Sequence, residues 1–537
     1  MNDKTKTIVV SYTGYFTRTI KLETTLSNYT ISLLRLQNDS VVVIGSRNSA
    51  RTKLQTPVPV DIISVAAISK EVGQTDLNQL LTFAAPSFQS SRQTVSDGTD
   101  HLDPAQLRGL GSDQVLVLIN GKRRHQSALV NVNGTVNRGQ VGTDLNTIPL
   151  SSIERVEVLR DGASAQYGSD AIAGVINIVL KQNRKGLAGN VSFGQNSTSY
   201  PKDYGFSQLN HTDIKNVSIT DGQTFHAGLN YGFALGRKGF VNVTGDYQSR
   251  DKTNRTGTYT GAVFAPVNGA NKDDSILNAR GLTRNNFDMR IGNSKIKSGS
   301  IFINAGYDIN ADWRLKVFGG FSQKNGEAAG FFRYPSSISS GAGIYSSEVF
   351  KFYPNGFLPL IETDISDYSL SAAVEGKIGA WALSLSNTVG VNRFDFSVDN
   401  SINYTQFAVT NTPQTRFDAG GLQLLQNTIN ADLSRRFNVL KGLNVAYGAE
   451  FRIDRYAQRA GELASYKDFN NTSGAASGSQ VFAGFVPDYA KKHSRNNVGI
   501  YLDMEQDVTE RLLVGFALRY ENYSDFGSTI NYKLVSR

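Results

Sequence analysis

The chain contains no cysteine, which excludes disulfides, thiolate catalysis and cysteine-held metals and leaves the redox state of its compartment open. No apolar run approaches the roughly 18 residues of a spanning helix, so any passage through a membrane must be made by the strands of a β-barrel. Long proline-rich or charge-block linkers are absent too, and 537 residues without one favour a single large element with smaller ones attached. The amino terminus, MNDKTKTIVV, lacks the apolar core of a signal peptide, so the natural start is expected to lie upstream. Tryptophan (2) and methionine (3) are scarce, whereas glycine (51), tyrosine (23) and phenylalanine (29) are plentiful, the balance that all-β chains use. The net charge is +9, but its densest cluster is only Lys122, Arg123, Arg124 and His125, which reads as a solvated loop and not as a nucleic-acid surface.

What is present is organised around Ile148–Lys181, IPLSSIERVEVLRDGASAQYGSDAIAGVINIVLK. Ile153, Val156, Val158 and Leu159 are interleaved with Glu154, Arg155, Glu157 and Arg160, as in a strand with one buried and one charged face. Asp161-Gly162 breaks that strand. Ala171–Leu180 is too short to span as a helix and rich in Ile and Val, so a buried strand is expected, with Gly174 marking close approach of another backbone. Upstream, strand and helix signals alternate. Val58–Ser64 reads as a strand. Asp76 reads as the N-cap of a helix over Leu77–Ala84, with Leu77, Leu80, Leu81 and Ala84 on one face and Pro86 as its stop. Val115–Ile119 reads as a strand buried on both faces and closed by the Asn120-Gly121 turn.

After Lys181 the pattern changes to long alternating strands. Phe225 to Leu235, Ile301 to Ile309, Leu370 to Ile378, Leu443 to Ile453 and Leu512 to Tyr520 each carry apolar residues at every second position. About twelve such strands are counted, each near the length of a tilted transmembrane strand. Their connections alternate between tight turns (236–239, 310–313, 438–442, 507–510) and long polar excursions (196–222, 251–299, 323–367, 457–493), with only Ser524–Ser528 short where a long one is due. Outer-membrane barrels have short periplasmic turns and long extracellular loops, whereas a soluble sandwich has no reason to gather its long loops at one end.

Leu107-Arg108-Gly109, Asn120-Gly121, Tyr167-Gly168 and Asn177-Ile178, with Ile148–Lys181 as a whole, closely resemble the plug of TonB-dependent outer-membrane receptors. The resemblance implies a membrane all-β fold: a transmembrane antiparallel β-barrel, of about 22 strands in such receptors, enclosing a small α/β plug with a four-stranded mixed sheet. Four regions follow. Residues 1–38 resemble the end of the carboxypeptidase-regulatory-like sandwich of Bacteroidetes-type receptors. Residues 39–47 hold a TonB box and linker, 48–181 the plug, and 182–537 the first part of the barrel. Because an open sheet edge in lipid is costly, the chain is expected to be a fragment lacking both ends. The implied activity is import of a scarce, bulky solute such as a ferric siderophore, cobalamin, a glycan or a peptide. It would be energised by TonB with ExbB and ExbD in the outer membrane of a Gram-negative bacterium, and its partners would be that ligand and outer-membrane lipid. A passive porin and a carbohydrate-binding or adhesive β protein are the alternatives; the plug speaks against the first and the loop alternation against the second.

The candidate residues follow from these regions. Asp39, Ser40, Val41, Val42, Val43 and Ile44 form a β-branched run able to add a strand to an exposed sheet edge, the mode in which TonB would bind. Strand parity points Glu450 and Glu521 into the lumen. The resemblance makes Arg108 and Arg160 the plug arginines of buried plug-to-barrel ion pairs, so Arg108 and Arg160 are expected to meet Glu450 and Glu521. Ser90–Gln106 and Lys122–Gly142 carry no core pattern and resemble the apical loops that face the ligand. There Arg92, His101, Arg123, Arg124, His125, Asn131, Asn133 and Arg138 are candidates for an anionic or polyhydroxylated solute. His101 and His125 are too far apart for a local metal motif, and neither metal nor cofactor is expected. Gly109-Leu110-Gly111 lacks the third glycine of a dinucleotide loop, and nucleophile elbow, zinc-binding histidine pair and phosphate loop are all missing, so no enzyme is expected.

Overall fold

The computed structural model describes residues 7–10, 18–21, 44–46, 56–132, 134–202, 216–336, 349–470 and 476–537. β1 (Thr7–Val10) and β2 (Arg18–Lys21) pair antiparallel, Thr7 opposite Lys21. Asp39–Val43 and Asn133 lie outside the described residues.

From Val60 the chain builds β3 (Val60–Ser64), helices α1 (Val65–Glu71) and α2 (Leu77–Ala84), and the short pair β4 (Phe88–Gln89) and β5 (Gln106–Leu107). There follow β6 (Val115–Ile119), β7 (Lys122–Arg123), β8 (Ile153–Leu159), helix α3 (Ser164–Tyr167) and β9 (Gly174–Leu180). A mixed sheet results, in the order β3-β8-β9-β6-β7, with β6 and β9 parallel and the other pairs antiparallel. It has five strands where four were expected, the fifth being the two-residue return after the Asn120-Gly121 turn.

The unbroken apolar run of β6 has a simple cause. Val115, Val117 and Ile119 enter one core with Leu77, Leu81, Val156, Val158, Ile176 and Ile178, while Leu116 and Leu118 enter a second with Val60, Leu159 and Val175. Gly174 meets the close backbone expected of it: its φ is +145°, and a Cβ there would lie 2.2 Å from the Leu159 carbonyl oxygen. β8 departs from a simple charged face, because Glu157 is fully buried and accepts hydrogen bonds from Arg155 Nε (3.0 Å) and Asn177 Nδ2 (3.0 Å).

The rest of the chain forms a 12-stranded antiparallel sheet in which each strand pairs with its sequence neighbours. It runs β10 (Lys185–Tyr200), β11 (Val217–Leu235), β12 (Gly239–Arg250), β13 (Lys295–Asp308), β14 (Arg314–Ala329), β15 (Leu360–Ile378), β16 (Trp381–Asp399), β17 (Phe417–Phe437), β18 (Gly442–Arg459), β19 (Lys492–Asp507), β20 (Leu513–Tyr523) and β21 (Gly527–Ser536). Tight turns at 236–238, 309–313, 379–380, 438–441 and 508–512 alternate with excursions at 201–216, 251–294, 330–359, 400–416 and 460–491. The excursion 400–416 has no counterpart among those expected; the connection 524–526 is short, as anticipated.

Alternation fixes the two faces. On β18 the exposed residues include Tyr447, Ala449 and Phe451, while Asn444, Ala446, Glu450 and Arg452 are buried; on β20 Phe516, Leu518 and Tyr520 point out and Ala517, Arg519, Glu521 and Tyr523 point in. Apolar side chains such as Val191 and Ile301 are therefore exposed on the outer face, as on a lipid-facing wall. The inner face wraps the plug, whose side chains reach the wall from Ser151 on Asn190 of β10 to Asp161 on Lys533 of β21.

Candidate functional site

The wall holds the plug by polar side chains at lumen-facing positions, and four groups of them involve the candidate residues; Lys533 with Asp161 and Lys122 with Asp432 are further pairs. In the first, the β12 guanidinium of Arg250 lies 2.7 Å from Asp76, at the start of α2. Gln248 donates to the other oxygen of Asp76 at 2.8 Å, and Arg92 pairs with both Asp76 and Asp103. Asp76 does begin the helix, its carbonyl accepting from Leu80 N–H, but its side chain makes no cap. The carboxylate is drawn instead to two guanidiniums. Burial opposes its ionisation, yet the charges of Arg92 and Arg250 win and hold it well below the usual range.

In the second group, Lys324 on β14 pairs with Asp144 and donates to the His101 carbonyl at 3.2 Å, while His101 Nδ1 sits 2.8 Å from Thr363 Oγ1 on β15. Burial, reinforced by Lys324 and Arg250, pushes the His101 imidazole down to about 3, so it is neutral. In the third, Asp367 on β15 receives Arg124 and His125, Asn392 on β16 donates to it at 3.0 Å, and the amide oxygen of Asn392 accepts from Ala128 N–H at 2.8 Å.

The fourth group is the densest. Plug Arg123 pairs with plug Asp170 and reaches Glu450 on β18 at 3.8 Å. Arg452 on β18 lies 3.5 Å from Asp170, and Arg519 on β20 lies 3.4 Å from Glu450 and 3.1 Å from Glu521. Glu521 accepts from Ser169 N–H at 2.9 Å, and the Ser169 and Tyr523 hydroxyls are 2.6 Å apart. Asp170 is held below its ordinary range because Arg123 and Arg452 outweigh the burial that opposes its charge. Such a network is tolerable in a dry site only because each ion has partners.

α3 carries this group toward the amino-terminal side of the plug. Gln166 Nε2 donates to Asp503 on β19 at 2.8 Å, and Tyr167 offers its carbonyl to Arg123 Nη2 at 2.8 Å and its hydroxyl oxygen to the Gly45 N–H at 3.2 Å. Ser46 donates to Glu505 on β19 at 2.9 Å, and Ile44 is fully buried among Val58, Val60, Leu159 and Ala163.

Several expectations need correction. Parity placed Glu450 and Glu521 correctly in the lumen, but neither Arg108 nor Arg160 meets them. Arg108 occupies a left-handed turn position (φ 59°) with its side chain exposed. Arg160, just past the end of β8, pairs at 2.8 Å with Asp61 beside it on β3 and is 42% exposed. Their places are taken by Arg123, Arg452 and Arg519. The parity rule that found Glu450 and Glu521 also points Arg452 and Arg519 inward, since each is two residues from its glutamate.

The apical candidates divide in the same way. His101, Arg123, Arg124, His125 and Asn131 are buried; the first four are committed to the wall contacts above, and Asn131 lies 3.5 Å from Thr99 Oγ1 within the plug. They do not present side chains to a solute. Arg92 is engaged by Asp76 and Asp103, and Arg138 is exposed. The apical loops also have a core that their composition hid: Leu102, Ala128 and Leu129 pack against Phe394 and Phe396 of β16, with Phe482 and Phe485 beside them. A Cβ on Gly98 would lie 2.9 Å from the Phe396 ring. Among the described residues no group of three or more His, Asp or Glu side chains is placed to hold a metal.

Comparison with known proteins agrees with this architecture. Residues 52–175 match the family of TonB-dependent receptor plug domains, and residues 318–535 match the TonB dependent receptor-like β-barrel. The chain belongs to the TonB-dependent receptors. It is 32% identical over 212 residues to the vitamin B12 transporter BtuB of Vibrio vulnificus, covering 36% of this chain and 31% of that protein. It is 26% identical over 282 residues to the ferric enterobactin receptor of Pseudomonas aeruginosa, covering 52% of this chain and 36% of that one. The chain thus spans about a third of the length of these curated relatives. Among solved structures, the siderophore receptor PirA from Acinetobacter baumannii superposes with a TM-score of 0.56 at 17% identity, covering 88% of this chain and 58% of that one. The ferric enterobactin receptor PfeA gives 0.55 at 16% identity, with coverages of 88% and 59%. At these identities the superpositions speak for the fold.

Proposed function

We propose that the chain is the plug-bearing part of a receptor that imports a scarce, bulky solute across the outer membrane of a Gram-negative bacterium, driven by TonB with ExbB and ExbD. The supporting observation is the seating of the plug. A folded α/β unit fills the inner face of the β-wall through buried ion pairs, and Ile44–Ser46, the last residue of the expected TonB box and the two that follow it, is tucked between plug and wall. A passive pore has no use for such a stopper. In this reading residues 1–38 are the end of an amino-terminal sandwich, 39–47 the box and linker, 48–181 the plug and 182–537 the barrel wall. Asp39–Ile44 adds a strand to an exposed sheet edge of TonB, which then pulls, and exposed Arg138 is retained as a plug contact for the solute. No bond in the solute is made or broken. The relatives named above are a vitamin B12 transporter and a ferric enterobactin receptor, and a ferric siderophore is the solute we favour.

The experiment is deletion of Asp39–Ile44 in cells that express the protein. Energy-dependent uptake of a ferric siderophore should be lost while the protein still reaches the outer membrane. Uptake that persists without the box, or that survives collapse of the proton gradient, sinks the proposal.

A further inference from the structure

Tyr167, the last residue of α3, is fixed at three points that belong to different parts of the molecule. Its ring packs against the second plug core, the one that also buries Ile44. Its hydroxyl oxygen accepts from the Gly45 N–H at 3.2 Å, and its carbonyl oxygen accepts from Arg123 Nη2 at 2.8 Å. The same guanidinium turns Nη1 to Asp170 and lies 3.8 Å from Glu450 on the wall. One residue therefore touches the tether, Ile44–Ser46, with its side chain and the plug-to-wall lock with its backbone.

Both contacts are closely fitted. Gly45 has a φ of +85°, and a Cβ there would lie 3.2 Å from Val60 and 3.3 Å from Leu159, so this point of the tether suits glycine alone. On the other side, Gly168 has a φ of +114°, and a Cβ there would lie 3.0 Å from Arg123 Nη2 and 3.1 Å from Glu521 Oε1. The backbone that ends α3 is pressed against the lock with no space for a side chain. Between the two contacts stands a single helical turn, closed by Tyr167 N–H on the Ala163 carbonyl and Gly168 N–H on the Ser164 carbonyl. A turn this short has no slack, and a shift at the Tyr167 carbonyl moves the ring and hydroxyl as well.

We infer that Tyr167 is a positioning residue, a clasp whose hydroxyl keeps the tether seated while Arg123 stays in its lock with Asp170 and Glu450. The inference rests on the receptor reading above. When Arg123 leaves, the Tyr167 carbonyl is released, the ring shifts and the Gly45 N–H loses its acceptor. By linkage, drawing Gly45 off the hydroxyl weakens the hold on Arg123 by the same factor. The third group lacks this connection, because the side chains of Arg124 and His125 bond to Thr147 and Asp367 and not to α3.

Hydrogen exchange at the Gly45 amide tests the clasp in the whole chain, purified from outer membranes in detergent. Tyr167→Phe keeps the ring and deletes the acceptor, so exchange at Gly45 should quicken about fivefold, the effect of losing one ordinary hydrogen bond. The β9 amides should exchange as in the wild type, which shows that the plug is still folded. Arg123→Ala should quicken Gly45 by a similar factor, and combining it with Tyr167→Phe should add nothing. Asp367→Ala, which loosens the plug at the third group, should leave Gly45 at the wild-type rate. Unchanged exchange in Tyr167→Phe, effects of the two substitutions that multiply, or a quickening by Asp367→Ala equal to that by Arg123→Ala would each overturn the clasp. Retention of the same samples on immobilised TonB, without solute, should be stronger for Tyr167→Phe than for the wild type, and equal retention would count against the clasp in the same way. If TonB retains neither protein, the receptor reading falls, while the exchange rates still decide whether Tyr167 couples tether and lock.

Discussion

Asp367 on β15 serves two plug side chains at once: one oxygen pairs with Arg124 and the other lies 2.9 Å from His125 Nε2. Burial and the adjacent Arg124 push the His125 imidazole down despite the carboxylate, so the ring meets Asp367 as a neutral N–H donor. The carboxylate's charge is thus balanced by Arg124 alone. Asp367→Ala leaves that guanidinium buried and unpaired, which costs about 3–5 kcal/mol. The variant should admit large antibiotics that the parent excludes and should expose the plug to protease in intact cells; unchanged permeability would mean that this clamp does not hold the plug.

Arg123 and Glu450 offer a sharper contrast. Arg123→Ala should loosen the plug by about 2–4 kcal/mol, and a double-mutant cycle with Glu450→Ala should show coupling of at least 0.5 kcal/mol or so. Arg108→Ala and Arg160→Ala, both at exposed side chains, should fall within about 0.5 kcal/mol of the parent. Protease susceptibility of the plug under denaturant gives all four values on one scale. An Arg160→Ala effect as large as that of Arg123→Ala would restore the latch that the geometry removes.

Asp100 predicts a pH dependence. Burial, with Asp103 and Asp97 nearby, pushes its carboxyl up to about 7 from an ordinary 3.8. Between those values the folded chain holds a proton that the unfolded chain has lost, so stability falls as pH rises through roughly 4 to 7 and stays lower above. Asp100→Asn removes the cost. The variant should match the parent near pH 4 and gain with rising pH, by on the order of a few kcal/mol at pH 8. Melting curves of the plug that stay parallel from pH 4 to 8 would contradict this.

Gly174→Ala tests the tightest approach in the plug. The added methyl would meet the Leu159 carbonyl oxygen at 2.2 Å on a backbone with φ +145°, so β8 and β9 must separate at a cost of several kcal/mol. The plug should fail to protect its β9 amides from hydrogen exchange while the wall strands stay protected.

Much of the fold could be read in the sequence because period and parity are local. The twelve wall strands, the turn alternation, β6 buried on both faces and the inward glutamates all follow from counting alternate residues. The partners of those glutamates did not follow, because pairing depends on how the plug is seated. Arg123 lies in a run of cations that looked like solvated loop, and only the wall shows that the run is pressed against Asp170, Glu450 and Asp367. Asp76 was legible as a helix start but not as the partner of Arg250, 174 residues away. The apical loops hid their core for a related reason: half of it, Phe394 and Phe396, is supplied by lumen-facing positions that in most barrels are polar.

The place of β3 in the plug sheet bears on how a load would travel. Among the described residues β3 is the first strand after Ile44 and also an outermost one, joined to the rest of the sheet through β8 alone. A tether pulled from the amino-terminal side would first strip Ile44–Ser46 from Leu159, Tyr167 and Glu505, and would then load this five-residue ribbon before it strained β9 or β6. The ribbon can peel away bond by bond, as a hem parts before cloth tears, leaving the middle three strands intact and the plug able to close again when the tension ends.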